Sequence, residues 1–429
     1  MAEVGPWHAK LDAINLAAVR PDPFSTMDFL AHYHEYDEEH PGGEGCTLWL
    51  LVVFRGNEPI GYLPLKRVED SLFGVKIPRI TFLVLHDTDR PHLVAGPEDE
   101  SAVAAACLRW LHGKVDEWDL LEFHQQEEHS PLARLPAALP AERYRVAFWE
   151  CHENATVRVR WSKLADYYAE LSPNLRSTLA RQSRRLSESG LAEVVSSRDP
   201  ACLPLLFDLY LDVESRSWKA LAGTGVTRSP LREDYMRALL ANRRLLSVEI
   251  KLLLLDGYPV SGIMTGSFAG RRYLLQLAYD ASLARLGPGS PMLALCMRDA
   301  IRDGEREFNL LSGFAVYKSR WLAEVTPTRV VQVYRRGTLP DWKRRFGDLQ
   351  RRWRRRRESM IPVRANPSRW QVEQEVADGA ACTRLPAPDE ADRRRVTEML
   401  RAAAAVGRLE RLGPDEWLRL MPGKQFRPA

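Results

Sequence analysis

The chain has 429 residues, 45% of them hydrophobic and 28% charged, with a formal net charge of +4. That is the balance of an ordinary globular chain, long enough for two or three cores. No apolar run is long enough to span a bilayer, and the six cysteines are scattered without a Cys-x-x-Cys pair, which argues against a zinc ribbon or a disulfide scaffold.

In chain order, residues 47–54 predict a strand, Gly56-Asn57 a turn and 58–66 the returning strand. A third strand is expected over 77–85, a helix over 98–115 and a further strand over 118–123. Ser172-Pro173 is a helix start, with Ser as N-cap and Pro at the first helical position, and the helix stops near Gly190. A second helix is expected over 202–218. Residues 246–255 are rich in strand formers, Asp256-Gly257 is a hairpin signal, and the chain returns over 260–268 and again over 272–279. The loop Arg285-Leu286-Gly287-Pro288-Gly289-Ser290-Pro291 then opens a helix over 291–303, with Ser290 as N-cap and Gly304 as terminator. Residues 308–311 and 328–334 predict further strands. In the proline-broken tail, 391–409 and 414–420 predict helices.

The order of meander, helix and strand therefore occurs twice. Asn57-Glu58-Pro59-Ile60-Gly61 echoes Gly257-Tyr258-Pro259-Val260-Ser261-Gly262. The reading is an α/β protein made of two copies of one unit, over 1–150 and 151–340, with a basic helix and a small helical appendage over 341–429. Two unrelated α/β domains are the alternative. The first copy lacks a comparable Gly-x-Gly loop before its helix, so its phosphate seat is degenerate.

A glycine loop at a helix start points bare amides at whatever lies above it, and the helix dipole adds to their pull on an anion. That suggests a phosphate-bearing acyl donor and hence a transferase. All ten histidines lie between His8 and His152, so acid–base chemistry in the second half must use Glu, Asp, Tyr, Lys or a thiol, or borrow from the first.

Around this loop stand Glu214-Ser215-Arg216-Ser217-Trp218-Lys219, Gly223-Thr224-Gly225, Tyr279-Asp280, Phe308-Asn309-Leu310-Leu311-Ser312-Gly313 and Tyr317-Lys318-Ser319-Arg320-Trp321. The set, with the arginine-rich helix before it, resembles the CelD-like acetyltransferase family linked to cellulose and exopolysaccharide synthesis. That family belongs to the GNAT superfamily and is related to the FemAB peptidoglycan transferases. The likeness covers about 172–321, and a weaker one covers 47–132 with its Gly61-x-Leu63-Pro64-Leu65 step. The resemblance implies two tandem GNAT-like acyl-CoA N-acyltransferase units, each a mixed, mostly antiparallel sheet flanked by helices. Two residues depart from the family: Asn309 stands where it usually has Asp, and Gly287-Pro288-Gly289 where it has Ser-Pro-Gly. Asn309 cannot act as a carboxylate base.

The same resemblance implies an N-acyltransferase with the donor in the second unit. Acyl transfer from a thioester to an amine needs a positioned donor, N–H groups at the carbonyl oxygen and a proton acceptor for the amine. Arg285, Gly287, Pro288, Gly289 and Ser290 would hold the donor, and a splayed third strand would supply N–H groups near 277–279. Tyr279 would protonate the leaving thiolate or stack, while Glu214 and Asp280 would take the amine proton. The structural alternatives are that Asp280 caps a turn and Glu214 pairs with Arg216 or Lys219. Trp218, Lys219, Asn309, Tyr317 and Lys318 would line the substrate, with Trp218 read first as packing and Lys318 alternatively as a solvated lysine lying on Tyr317.

No permanently bound cofactor is expected; acyl-CoA or acyl-phosphopantetheine enters as co-substrate, and the acceptor is a small-molecule or peptide amine. His32, His34 and His40 with Glu38 and Glu39 fit no zinc signature and read as a wet acidic surface, so no metal is expected. Between Lys343 and Arg357 the window carries +8, leaving −4 for the rest of the chain. That run fits a solvated helix end, a dock for an acyl carrier protein or an anionic membrane face; nucleic acid ranks last, since no binding module accompanies it. Two other readings stay open: FemAB-like use of aminoacyl-tRNA, and a non-catalytic donor-binding regulator. The first residues, 1–6, lack the basic and apolar regions of a signal peptide, so a cytoplasmic protein is expected.

Overall fold

The computed structural model describes residues 2–37, 45–84, 88–134, 136, 139–150, 152–242, 244–312, 316–358 and 388–422. In chain order the elements are α1 (His8–Ala17), α2 (Met27–Glu35), β1 (Cys46–Arg55), β2 (Glu58–Leu72), β3 (Val75–Phe82), β4 (Val94–Ala95), α3 (Glu100–Gly113), β5 (Leu120–Glu127), α4 (Pro131–Arg134), β6 (Tyr144–Glu150), β7 (Asn154–Arg158), α5 (Leu164–Glu170), α6 (Pro173–Ser189), β8 (Ala192–Ser197) and α7 (Leu203–Ser215). There follow α8 (Trp218–Leu221), α9 (Pro230–Ala241), β9 (Ser247–Leu255), β10 (Tyr258–Phe268), β11 (Arg271–Tyr279), α10 (Gly289–Arg302), β12 (Glu307–Ser312), α11 (Val316–Ser319), β13 (Glu324–Thr326), β14 (Thr328–Arg335), α12 (Leu339–Glu358), α13 (Glu390–Val406), β15 (Glu410–Leu412) and α14 (Pro414–Arg419).

Of the described residues, those within Met1–Asn154 and Thr326–Asn366 form one compact unit, and those within Ala155–Val325 and Pro367–Ala429 form another. The fold is mixed α/β, two sheets flanked by helices. The first unit has strand order β1-β2-β3-β5-β14-β6, with β4 on β2; the second runs β13-β7-β12-β11-β10-β9-β8-β15.

Each sheet is built on the same plan. An antiparallel meander (β1-β2-β3 or β9-β10-β11) leads through a helix to a strand parallel to its last member. The local signals account for it. Asp256 and Gly257 both take positive φ, 51° and 78°, the hairpin geometry that matches strand twist. Ser172 caps α6 by accepting from the Leu175 amide at 3.2 Å, and Pro173 opens the helix. Gly304, with φ 67°, stops α10.

Two expectations on organisation are corrected. The strand expected over 328–334 does not close the second sheet. As β14 it lies antiparallel between β5 and β6, so the chain returns to the first unit before the tail rejoins the second. The tail from 388 is not a separate appendage: β15 pairs with β8, and Trp417 is fully buried with its indole Nε1 donating to the Ala192 carbonyl at 2.8 Å.

Under α10 the second unit buries a set of charges. Lys251 Nζ lies 2.7 Å from Asp299 Oδ2 and also pairs with Glu249. Arg272, fully buried, reaches Glu305 at 2.7 Å, Asp303 at 2.8 Å and Glu249 at 3.0 Å. Burial alone would raise the Asp299 carboxyl; Lys251 and Arg298 outweigh it and hold it below the ordinary value. These pairs link the C-terminal half of α10 to β9 and β11, and so fix where its N-terminus stands.

Candidate functional site

β11 is the strand on which a site can be built. It pairs with β12 through Arg271, Arg272 and Tyr273, opposite Glu307, Phe308 and Asn309. Beyond Tyr273 no described strand pairs with that edge, although β11 runs on to Tyr279. A bulge at Leu275, which the β10 register skips between Gln276 and Leu274, bends β11 at the parting. The Asp280 amide donates to Val260 on β10 at 2.9 Å. By alternation, Leu277 and Tyr279 direct their amides toward the edge that β12 has left.

The loop after β11 turns at Gly287, where φ is 65° and ψ 48°, a left-handed conformation that favours glycine. A Cβ there would stand 2.0 Å from Gln182 Nε2 on α6. α10 then begins at Gly289, with Pro288 in the capping position and no side-chain cap, so Ser290 is a first-turn residue and not the expected N-cap. Pro291 carries no N–H, and among the described residues no acceptor meets the amides of Gly289 and Ser290. Pro288 and Gly289 are buried, Gly287 and Ser290 half-buried and Arg285 exposed. A Cβ on Gly289 would touch Tyr279 Cδ1 at 3.4 Å and Leu277 Cδ2 at 3.7 Å, which sets the end of β11 against the start of α10.

The structure therefore brings Tyr279, Gly287, Pro288, Gly289 and Ser290 together. It engages Glu214, Asp280, Lys219, Asn309 and Lys318 elsewhere. Glu214, 1% exposed, accepts from the Val226 amide at 2.6 Å and the Tyr210 hydroxyl at 3.1 Å, with Lys219 Nζ at 3.8 Å. It pins the loop after α8 to α7 and is not placed as a base. Asp280 caps the turn after β11: Oδ1 accepts from the Ser282 amide at 2.9 Å, and Oδ2 from Arg216 Nε at 2.9 Å. Lys219 donates to Gln276 Oε1 at 2.7 Å, and Trp218 is half-buried on α8. Asn309 Oδ1 accepts from the Leu311 amide at 2.8 Å, a local bond within β12.

Lys318 is buried, and its ammonium donates to the carbonyls of Leu310, Leu311 and Ser312 at 2.7, 3.1 and 3.1 Å. Three acceptors use all three of its donors. It ties down the end of β12, correcting the reading of it as a solvated or substrate-lining lysine. The Tyr317 side chain, and residues 38–44 with His40, Glu38 and Glu39, lie outside the described residues. His32 is buried and packs edge-on against Phe29, not on a wet surface.

Sequence reasoning missed Gln182, which sits in the run Arg181-Gln182-Ser183-Arg184-Arg185 with nothing to mark it. It also missed a buried polar cluster in the first unit, where β3 and β5 part after Thr81 and Glu122. Arg20 Nη1 donates to Glu127 at 2.7 Å and Nη2 to His92 Nδ1 at 3.0 Å, with Asp22 Oδ2 3.1 Å from the same nitrogen. Burial pushes the Asp22 carboxyl up to about 6, against the pull of Arg20, and burial with Arg20 keeps the His92 imidazole well below its ordinary value. The helix after this parting, α3, starts with Asp99 and Glu100, and Asp99 pairs with Arg55. Acid at a helix N-terminus disfavours phosphate there. Of the two units, only the second offers an anion seat of this type among the described residues.

A meander parted from a parallel strand, with a glycine turn and helix start at the parting, defines the class: a mixed α/β domain with an open strand edge beside the start of a helix. The family model described as an acetyltransferase (GNAT) domain matches residues 173–319, which run from α6 to the end of α11 in the second unit. No curated protein matches the chain. Among solved structures, a conserved protein of unknown function from Bacteroides thetaiotaomicron aligns at 12% identity over 77% of this chain and 97% of its own, TM-score 0.47. The C-terminal domain of a putative lysylphosphatidylglycerol synthetase from Agrobacterium fabrum aligns at 14% over 75% and 90%, TM-score 0.45. FemX aligns at 12% over 76% and 95%, TM-score 0.44.

Proposed function

We propose that the second unit is an N-acyltransferase that moves an acyl group from acyl-CoA, or from the phosphopantetheine of a carrier protein, to an amine. The observation that carries this reading is the opening between β11 and β12 beside the start of α10. An extended pantetheine arm there would add hydrogen bonds along β11, as a strand would. Its pyrophosphate would meet the amides of Gly289 and Ser290, with the Ser290 hydroxyl and Arg285 beside them. The acetyltransferase match over 173–319 supports the same class.

The chemistry follows from these placements. The amine nitrogen attacks the thioester carbonyl, and the oxyanion is held by amides at Leu277 and Tyr279. The C–S bond then breaks, and Tyr279 gives its phenolic proton to the thiolate and is reprotonated from water, while the ammonium proton passes to water. Asp280 positions Arg216 and the turn, and Glu214 positions the loop after α8; neither takes the proton. The acceptor is an amino sugar or glycan precursor, an amino acid or a peptide amine, consistent with the CelD-like resemblance of residues 172–321.

The test is thiol release. Purified chain is incubated with a panel of acyl-CoAs, acyl-carrier proteins and amines, beside a Gly289→Glu variant. A carboxylate at the first turn suits the helix dipole yet occupies the anion seat, and the variant's circular dichroism and thermal transition are read beside the parent's. Turnover in the parent chain and loss of about tenfold or more of donor affinity in the variant are expected. Silence with every donor, or equal activity in the variant, rules the reading out.

A further inference from the structure

α12 has two faces with different company. On the inner face, Asp341 is buried and accepts from Arg145 Nε at 2.6 Å, and the Arg344 guanidinium lies 3.7 Å over the Trp149 ring of β6. On the outer face, Trp342 is 54% and Phe346 65% exposed, one turn apart. Lys343 and Arg345 beside them are exposed, and Arg345 stacks over Trp342 at 4.6 Å. The sequence continues the spacing: Leu349 and Trp353 follow Trp342 by seven and eleven positions in the same helix. At 3.6 residues per turn these four positions fall within about 60° of one another. Lys343 and Arg345 flank Trp342 and Phe346, and the sequence of the helix continues with Arg351, Arg352, Arg354, Arg355, Arg356 and Arg357.

From this we infer that α12 lies in the surface of a lipid bilayer rich in anionic headgroups, with its aromatic line entering the acyl boundary. The window 343–357 carries +8, which complements an anionic leaflet, and aromatic rings flanked by cations are the composition of interfacial helices. No described helix is long and apolar enough to cross a membrane, so the contact lies on the bilayer and does not span it. Duplex nucleic acid would favour cations, not an apolar line, on the facing stripe; single strands can stack bases on aromatic rings, and the oligonucleotide arm of the experiment separates that case. The inference does not depend on the acyltransferase reading.

The experiment is flotation of the full chain with vesicles of phosphatidylcholine alone, and with vesicles of equal parts phosphatidylcholine and phosphatidylglycerol. The chain floats with the anionic vesicles and not with the neutral ones. Trp342→Ser/Phe346→Ser and, separately, Lys343→Glu/Arg345→Glu each weaken vesicle affinity about tenfold or more. These side chains are exposed, so both variants keep the parent's circular dichroism and thermal transition; Phe346→Ser alone repeats the test if the double variant does not fold. No flotation of the parent chain overturns the inference. So does flotation undiminished by loss of the aromatics, or binding to a DNA or RNA oligonucleotide tighter than to the anionic vesicles.

Discussion

Gln182 occupies the space that a side chain at Gly287 would need: its Nε2 stands 2.0 Å from where a Cβ would be built, and its Cδ 2.6 Å. The contact joins α6 to the turn that begins the anion seat. Gly287→Ala therefore suffers twice, from a left-handed backbone at φ 65° and from the clash. The backbone part is roughly 1–2 kcal/mol. Gln182→Ala in the same chain relieves the clash and leaves the backbone cost. Urea unfolding of the four chains of this cycle measures the coupling. If the Gly287→Ala loss is the same with and without Gln182, the contact does not shape the turn.

Glu214 and Lys318 were each expected near the chemistry, and both are engaged by backbone groups. Glu214→Gln keeps one acceptor for Val226 or Tyr210 and weakens the other, a cost of about 1–3 kcal/mol in unfolding free energy. On the proposed path the proton passes to water, so kcat changes by less than about tenfold, against the 10²–10⁴-fold loss typical of a missing general base. Lys318→Met leaves the carbonyls of Leu310, Leu311 and Ser312 without their donor and costs about 2–3 kcal/mol, with donor KM unmoved. A stable Glu214→Gln chain with kcat reduced a hundredfold would restore the catalytic assignment.

The local half of this fold was legible in the sequence because its signals are local. Ser172-Pro173, Asp256-Gly257 and Gly304 each set a few dihedrals by themselves, and the elements they bound fall where expected. β14 was not, since nothing within Thr328–Arg335 tells which sheet it joins; that is decided by its partners Leu120–Glu127 and Tyr144–Glu150. The site divides the same way. The glycine turn and the capping role open to Asp280 were readable from residue type, while the engagement of Glu214 and Lys318, and of Asp280 by Arg216, depends on groups brought near by folding. Glu249 and Lys251 were hidden for a related reason: charge in a strand reads as exposure, and here each is buried with a partner.

The buried pair Lys251–Asp299 gives a stability prediction. Removing one partner strips the other of a close counter-charge under α10, leaving Lys251 with Glu249, or Asp299 with Arg298 and Arg302. Asp299→Leu and Lys251→Met each cost about 3–5 kcal/mol, and the double variant costs less than either alone. Both Asp299 and Glu249 are held below their ordinary values, against burial, by Lys251 and the nearby arginines. A lowered carboxylate stabilises the fold above its unfolded value and loses that contribution as pH falls. Acid unfolding of the parent chain is accordingly steeper than that of the double variant below about pH 4. Parallel acid curves would remove the pair from the account of how α10 is fixed.

Asp22 predicts the opposite slope in the first unit. Its carboxyl is raised by burial, and by Asp89, from the ordinary 3.8 to about 6. The folded unit then binds the proton more tightly than the unfolded chain. That contribution is complete below the unfolded value and is lost as pH rises toward about 6. At about 1.4 kcal/mol per pH unit, the full change is about 3 kcal/mol. Glu122 works in another window: burial is outweighed there by His124, Gln332 and Arg79, the carboxyl falls from 4.5 to about 2, and its contribution is lost only as pH falls through that range. Asp22→Asn keeps an oxygen to accept from the Ser25 amide, a bond of 3.0 Å in the parent, and removes the titration. Hydrogen exchange of the Ser25–Leu30 amides between pH 4 and 7, corrected for intrinsic rate, reports it locally. Protection in the parent chain declines across that interval and stays level in the variant; an equal decline in both would assign the pH dependence to another group.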